Sequence, residues 1–227
     1  ALERDAISEL ERIYKIINSQ CDEAKPTYRP ETHEAARAEL VKLQAGDAEN
    51  LTIWREMIRL SQIQFDDIYG RLGVKFDQAL GESFYNPRLQ AVVDALVARG
   101  IARESEGAKC VFSDGQLPPK EDPFLIQRDG EWQPNPQLIQ KRDGAFNYAT
   151  TDLATIAHRL ETWQPTEIVY VTDGRQQLHF QQVFQTFRRW HPELIDTVKL
   201  AHVWFGSILG DDGKPLKTRS GENVKLA

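Results

Sequence analysis

The chain of 227 residues holds two cysteines, Cys21 and Cys110, and neither sits in a Cys-x-x-Cys pair. A disulfide scaffold and a structural zinc site are therefore both disfavoured, and the pattern suits a reducing compartment. No apolar run approaches the eighteen residues that a membrane-spanning helix needs. The start, A-L-E-R-D-A-I, lacks the basic stretch and apolar core of a signal peptide, and it carries no initiating methionine. Processing or excision from a longer chain is expected from that beginning. The five histidines fall in no H-E-x-x-H or other tight metal spacing, so no protein metal site is expected. No serine occupies a G-x-S-x-G elbow, which removes support for hydrolase chemistry of that kind. Neither a Walker A loop nor a G-x-G-x-x-G turn is present, so a P-loop nucleotidase and a dinucleotide dehydrogenase are both poor readings. With a net charge of −6 the chain offers no uniform attraction to nucleic acid, although a local basic patch can still hold phosphate.

What is present is amphipathic. Leu2, Ala6, Leu10, Ile13 and Ile17 recur at helical spacing, and Ala36, Leu40 and Leu43 predict a second helix over 33–44. A third helix is predicted from about Thr52 to Tyr69, with Trp54, Met57, Ile58, Ser61, Phe65 and Ile68 on its buried face. Leu89, Val92, Val93 and Leu96 predict the inner face of a helix over 88–99, and Ala108–Phe112 and Leu138–Lys141 predict strands. Residues 113–136 carry five prolines and several acidic residues between these strands, which points to hairpins and loops. The last third alternates: helix over 151–163, an apolar strand over 168–171, helix over 178–190 with Val183, Phe184 and Phe187 inward, and a strand over 202–205. Such alternation is the mark of a doubly wound α/β layer.

Ligands of open α/β sheets gather beyond the carboxyl ends of the strands. The strand at 168–171 empties into T-D-G-R-Q-Q-L-H-F, which places Asp173, Gly174, Gln176, Gln177 and His179 at that edge. Gly174 permits close backbone approach or a positive φ, and Gln176 both donates and accepts hydrogen bonds; a plain capped turn is the competing reading. In D-G-A-F-N-Y-A-T-T-D-L-A, Asp152 falls in the first turn of the next helix. It either meets free helix N–H groups or, beside Tyr148, faces a bound cation such as an ammonium or guanidinium. Glu82, in G-E-S-F-Y, is a possible second carboxylate for the same cation or a residue of an exposed turn. Near the end, Lys214, Lys217 and Arg219 form a cationic loop able to hold polyphosphate or to neutralise charge developing in nucleotidyl transfer; a solvated hairpin is the alternative.

These pieces occur in a familiar order. W-R-E-M-I-R-L-S-Q-I-Q-F-D-D-I-Y-G-R-L-G-V-K-F-D is followed by G-E-S-F-Y, R-D-G-A-F-N-Y-A-T-T-D-L-A, I-V-Y-V-T-D-G-R-Q-Q-L-H-F-Q-Q-V-F and H-V-W-F-G-S-I-L-G-D-D-G-K-P-L-K-T-R-S-G. Across nearly its whole length the chain resembles the arginyl-tRNA synthetases, a class I family of aminoacyl-tRNA synthetases. The resemblance implies an α/β fold comprising the second half of a Rossmann-like nucleotide-binding fold with a helical and mixed insertion. It divides the chain into a helical segment 1–80, a mixed segment 81–140 and a nucleotide-binding segment 141–227. It implies that Tyr148, Asp152 and Glu82 read the arginine guanidinium, that Gln176 and His179 help hold the amino acid, and that Gly174 lies by the amino acid or nucleotide. His202, Val203 and Trp204 stand in the strand that meets adenine. Lys217 takes the place of the first lysine of the class signature, and whether Lys214 or Arg219 shares its charge work stays open.

The implied reaction joins L-arginine to tRNA(Arg) with ATP and Mg2+, in a cytoplasmic, monomeric protein without membrane contact. The rivals are another class I synthetase, a nucleotidyltransferase on a similar sheet, and a noncatalytic domain that binds tRNA or protein. The upstream H-I-G-H-like signature is not in this sequence, so the chain reads as an excised piece of the catalytic domain. The expected outcome is that the 227-residue chain alone gives no arginine-dependent ATP–pyrophosphate exchange; measurable exchange sinks that expectation.

Overall fold

The computed structural model describes residues 5–44, 46–206 and 209, in two compact units divided between Gln78 and Ala79. Leu209 belongs with the first. The predicted positions Leu2, Lys214, Lys217 and Arg219 lie outside the described residues.

The first unit is helical. Helix α1 spans Ala6–Cys21, and the Asp5 carboxylate caps it by accepting from the Ser8 amide at 3.1 Å. Helix α2 spans Pro30–Gln44, with proline at the helix start where a missing N–H costs nothing. Helix α3, Ala48–Leu72, is capped by Asp47 on the Asn50 amide at 3.0 Å and stopped by Gly73 in the left-handed region at φ 68°. Helices α2 and α3 begin three and four residues earlier than the apolar pattern alone indicates, because residues that start a helix lie outside that pattern. The face predicted to be buried on α3 is not. No residue of α3 is fully buried, and Met57, Ile58 and Phe65 are exposed. Three slender helices packed on one another have too little depth to cover every apolar position. On α1 the same holds for Ile13 and Ile17, and Ala6 alone is buried.

The second unit carries the core. A 3-10 segment, Glu82–Arg88, leads into α4, Leu89–Ala98, whose Leu89, Val92, Val93 and Leu96 are all buried as their spacing predicts. Strands β1 (Ala102–Ser105), β2 (Ala108–Val111) and β5 (Gln137–Gln140) form an antiparallel sheet in the order β1-β2-β5. The proline-rich stretch folds in part as the predicted hairpin, β3 (Leu125–Arg128) with β4 (Glu131–Pro134). Strand β1 is too short and polar to stand out in the sequence.

Helix α5 runs from Tyr148 to Trp163, capped by Asn147, and Thr150 fastens it to β5 by donating to the Ile139 carbonyl at 2.6 Å. Strand β6, Glu167–Asp173, connects through a short 3-10 turn and α6, Gln177–Trp190, to β7, Lys199–Phe205. The two strands pair in parallel from Glu167↔Lys199 to Asp173↔Phe205, completing a β-α-β unit. Ile168, Tyr170 and Leu200 face the helices, together with Val183, Phe184 and Phe187 of α6 in one apolar cluster. The expected fully buried strand is only half so: Val169 and Val171 turn to the other face and are exposed, as are Val203 and Phe205. Among the described residues that face has no covering layer, so burial alternates along the strand with the period of two.

Leu96 is fully buried in that cluster. Leu96→Ala is expected to lower unfolding stability by ~2–5 kcal/mol, measured by urea denaturation, through lost transfer energy and the cavity left behind.

Candidate active site

The stripe Tyr148, Asp152, Thr155 and Arg159 recurs at i, i+4, i+7 and i+11 along one side of α5. It lines a cavity of about 300 Å³ with Leu80, Glu82, Tyr85, Thr151 and Tyr170. All three residues read as candidates for a bound cation, Glu82, Tyr148 and Asp152, therefore meet at one cavity. Because α5 begins at Tyr148 rather than near Thr151, Asp152 is in the second turn and does not cap the helix. Its carboxylate is bonded instead to His179 of α6, Oδ2 to Nε2 at 2.6 Å, with both side chains about one-quarter exposed at 26%. Glu82, exposed at the head of the 3-10 segment, accepts from the Thr151 hydroxyl at 3.4 Å. Tyr148 is 70% exposed and stands at the cavity's open side.

Tyr85, Arg159 and Tyr170 are absent from the sequence-based site. Tyr170 is buried, and its hydroxyl has no hydrogen-bond partner among the described residues. Burial pushes the phenol well above its ordinary range; Arg159 opposes that rise, and Asp152 and Tyr85 add to it. The phenol therefore keeps its proton. The Arg159 guanidinium lies over the Tyr170 ring, 5.0 Å from its centroid. A charged or hydroxylated residue every three to four positions after Asp152 is the signal that marks this wall.

The β6–α6 turn follows the strand-edge rule, but not in every particular. Asp173 accepts from the Arg175 amide at 2.8 Å and pairs with the Arg175 guanidinium, which is the capped-turn alternative. Gly174 does not have a positive φ. What it permits is close packing: a Cβ there would lie 3.1 Å from the Trp204 indole and 3.4 Å from the Phe205 carbonyl. Gln176 is exposed and does not line the first cavity. A second cavity of about 230 Å³ is lined by Gln177, Gln181, Phe184, Leu200, His202 and Trp204. His202 Nε2 lies 2.8 Å from the Thr172 hydroxyl. Val203 points to the opposite, exposed face of the strand, away from this cavity. Among the described residues no group of three or more His, Cys, Asp and Glu could hold a metal ion.

The parallel β-α-β unit with its helical and mixed insertions has the Rossmann-like fold of the class I aminoacyl-tRNA synthetases. The family model for "tRNA synthetases class I (R), catalytic domain" matches residues 1–227, and the chain belongs to the arginyl-tRNA synthetase family. It is 43% identical over 224 residues to the arginine–tRNA ligase of Frankia casuarinae, covering 97% of this chain and 35% of that protein. Against the arginine–tRNA ligase of Crocosphaera subtropica it is 44% identical over 220 residues, covering 97% and 34%. The crystal structure of Plasmodium falciparum arginyl-tRNA synthetase matches with a TM-score of 0.62 at 26% identity, covering 85% of this chain and 33% of that one. The chain thus spans about a third of the length of the curated relatives it matches.

Tyr170→Phe removes a buried hydroxyl that has no partner among the described residues. It is expected to leave stability unchanged or raise it by ~1 kcal/mol in urea denaturation, since the desolvation of the hydroxyl is no longer incurred. A loss larger than ~1 kcal/mol would show that the hydroxyl is bonded in solution.

Proposed function

We propose that this chain is the arginine-reading part of an arginine–tRNA ligase. The observation that carries the reading is the convergence of Glu82, Tyr148 and Asp152 on one cavity. A planar guanidinium presents five N–H donors, and two carboxylates with a phenol are the acceptors that suit it. His179 occupies Oδ2 of Asp152 and so orients the carboxylate, leaving Oδ1 to accept from the ligand. A neutral side chain would leave the net negative charge of this cavity uncompensated, which disfavours other class I substrates.

In the proposed reaction the arginine carboxylate attacks the α-phosphate of ATP, the bond to the pyrophosphate breaks, and arginyl-adenylate and pyrophosphate result. The terminal ribose hydroxyl of tRNA(Arg) then attacks the arginyl carbonyl, and AMP leaves. No protein nucleophile takes part; holding the carboxylate in line and stabilising charge are the work required of the fold. The adenine side is assigned to the carboxyl end of β7, where His202 and Trp204 border the second cavity, and Gln176 to the amino-acid side at the strand edge. Val203, on the exposed face, contributes through its backbone alone. Lys217 would stabilise the phosphates, with Lys214 or Arg219 beside it. Mg2+ would enter bound to the phosphates of ATP.

Titration calorimetry with L-arginine is the test. Asp152→Asn is expected to weaken binding at least ~10-fold, the equivalent of ~1.4 kcal/mol, while L-citrulline, the neutral isostere, binds neither form. Equal affinity of wild type and Asp152→Asn, or equal affinity for arginine and citrulline, removes the assignment.

A further inference from the structure

One cation lies in the wall of a pocket that is read as a cation site. Arg159 is half-buried, lines the same cavity as Glu82 and Asp152, and has no carboxylate within ion-pair distance among the described residues. A guanidinium next to two acidic groups would ordinarily fold over onto one of them. Here it rests on the face of Tyr170, 5.0 Å from the centroid, and that ring is itself wedged against Phe180 and Phe184 at 4.6 and 5.8 Å. The aromatic stack thus holds the charge away from the carboxylates. Along α5, Arg159 lies two turns beyond Asp152, so their Cα atoms are ~10 Å apart at 1.5 Å per residue. Tyr148 lies one turn to the other side of Asp152 and is the exposed end of the stripe. The order along the helix from its exposed end is therefore phenol, carboxylate, hydroxyl, guanidinium.

We propose that Arg159 is a specificity-determining residue, a fixed positive charge at the end of the pocket away from Tyr148 that sets how far a cationic side chain enters. The inference rests on the arginine reading above and deepens it. A guanidinium that stops at Asp152 is attracted by two carboxylates and remains short of Arg159. One that reaches a methylene further approaches a like charge with little water to screen it. Two formal negative charges against one positive also leave the empty pocket with a single negative charge, matched to a monocation.

The test compares L-arginine with L-homoarginine, one methylene longer, by titration calorimetry on the 227-residue chain. Wild type is expected to prefer arginine by ~10-fold or more, within the range that one methylene commands. Arg159→Met keeps the aliphatic stem and removes the charge; it is expected to cut that preference to about threefold or less while arginine affinity changes by no more than about threefold. Arg159→Lys restores a charge and is expected to restore the preference, which a merely structural residue would not do. Should the methionine variant not fold, Arg159→Gln takes its place. An unchanged preference in the uncharged variant overturns the inference, as does a tenfold loss of arginine affinity there, which would make Arg159 a contact for an anionic part of the ligand. Asp152→Asn, run alongside, separates the two levels. If it abolishes arginine binding while Arg159→Met keeps the preference, only the depth role fails. If wild type does not bind arginine, the reading of the pocket fails and the depth role with it.

Discussion

The Asp152 carboxylate is the constraint around which the second unit is arranged. A carboxylate three-quarters withdrawn from water needs compensation, and α6 supplies it through His179 at 2.6 Å. That bond ties the outer helix of the β-α-β unit to α5, and α5 is in turn bonded to β5 through Thr150. Three elements distant in sequence are therefore set relative to one another at the site where a ligand would sit. Asp152 lines a cavity whose wall also carries Glu82. A bound guanidinium would complete the compensation that His179 begins.

Around this carboxylate the polar groups are graded rather than mixed. The exposed phenol of Tyr148 stands at the entrance, and the half-buried guanidinium of Arg159 lies on the buried ring of Tyr170 at the far end. The grading follows from the helix alone, because residues four, seven and eleven positions apart share a face. A helix laid along a pocket can thus present a different charge at each depth. A loop of the same length would have to be held in place by contacts of its own.

How much of this was legible in the sequence depended on whether the signal was local. The inner face of α4 and the two parallel strands were readable, since apolar spacing of 3.6 or a short apolar run reports burial directly. Glu82, Tyr148 and Asp152 were legible as chemistry, each in its own motif. Their common cavity was not, for Glu82 and Asp152 are seventy positions apart and only the fold brings them together. Tyr170 was hidden inside I-V-Y-V, where a tyrosine looks like core, and Arg159 inside a helix, where an arginine looks like solvated surface. The α3 stripe misled in the opposite sense: amphipathic spacing shows which face is apolar, not whether a thin helical layer can cover it.

One cavity is walled by carboxylates and the other by indole and imidazole, and the start of α6 touches both sides. His179 reaches forward from it to Asp152, and Gln177 lines the second cavity on the other side. Gly174 makes the junction possible, because any Cβ at that position would press on the Trp204 ring and the Phe205 carbonyl. A displacement of Trp204 would then be felt along the 3-10 turn by His179, five residues on, and through it by Asp152. If arginine is held at the first cavity and a nucleotide at the second, the three positions from Gln177 to His179 join them along the chain, His179 through its bond to Asp152. The geometry of an in-line attack depends on both ends of that path at once. The close-packed Gly174 and the Asp173–Arg175 bonds in the turn serve this need better than a flexible connection would. The close fit of Gly174 against Trp204 is thus as much a part of the candidate site as its carboxylates.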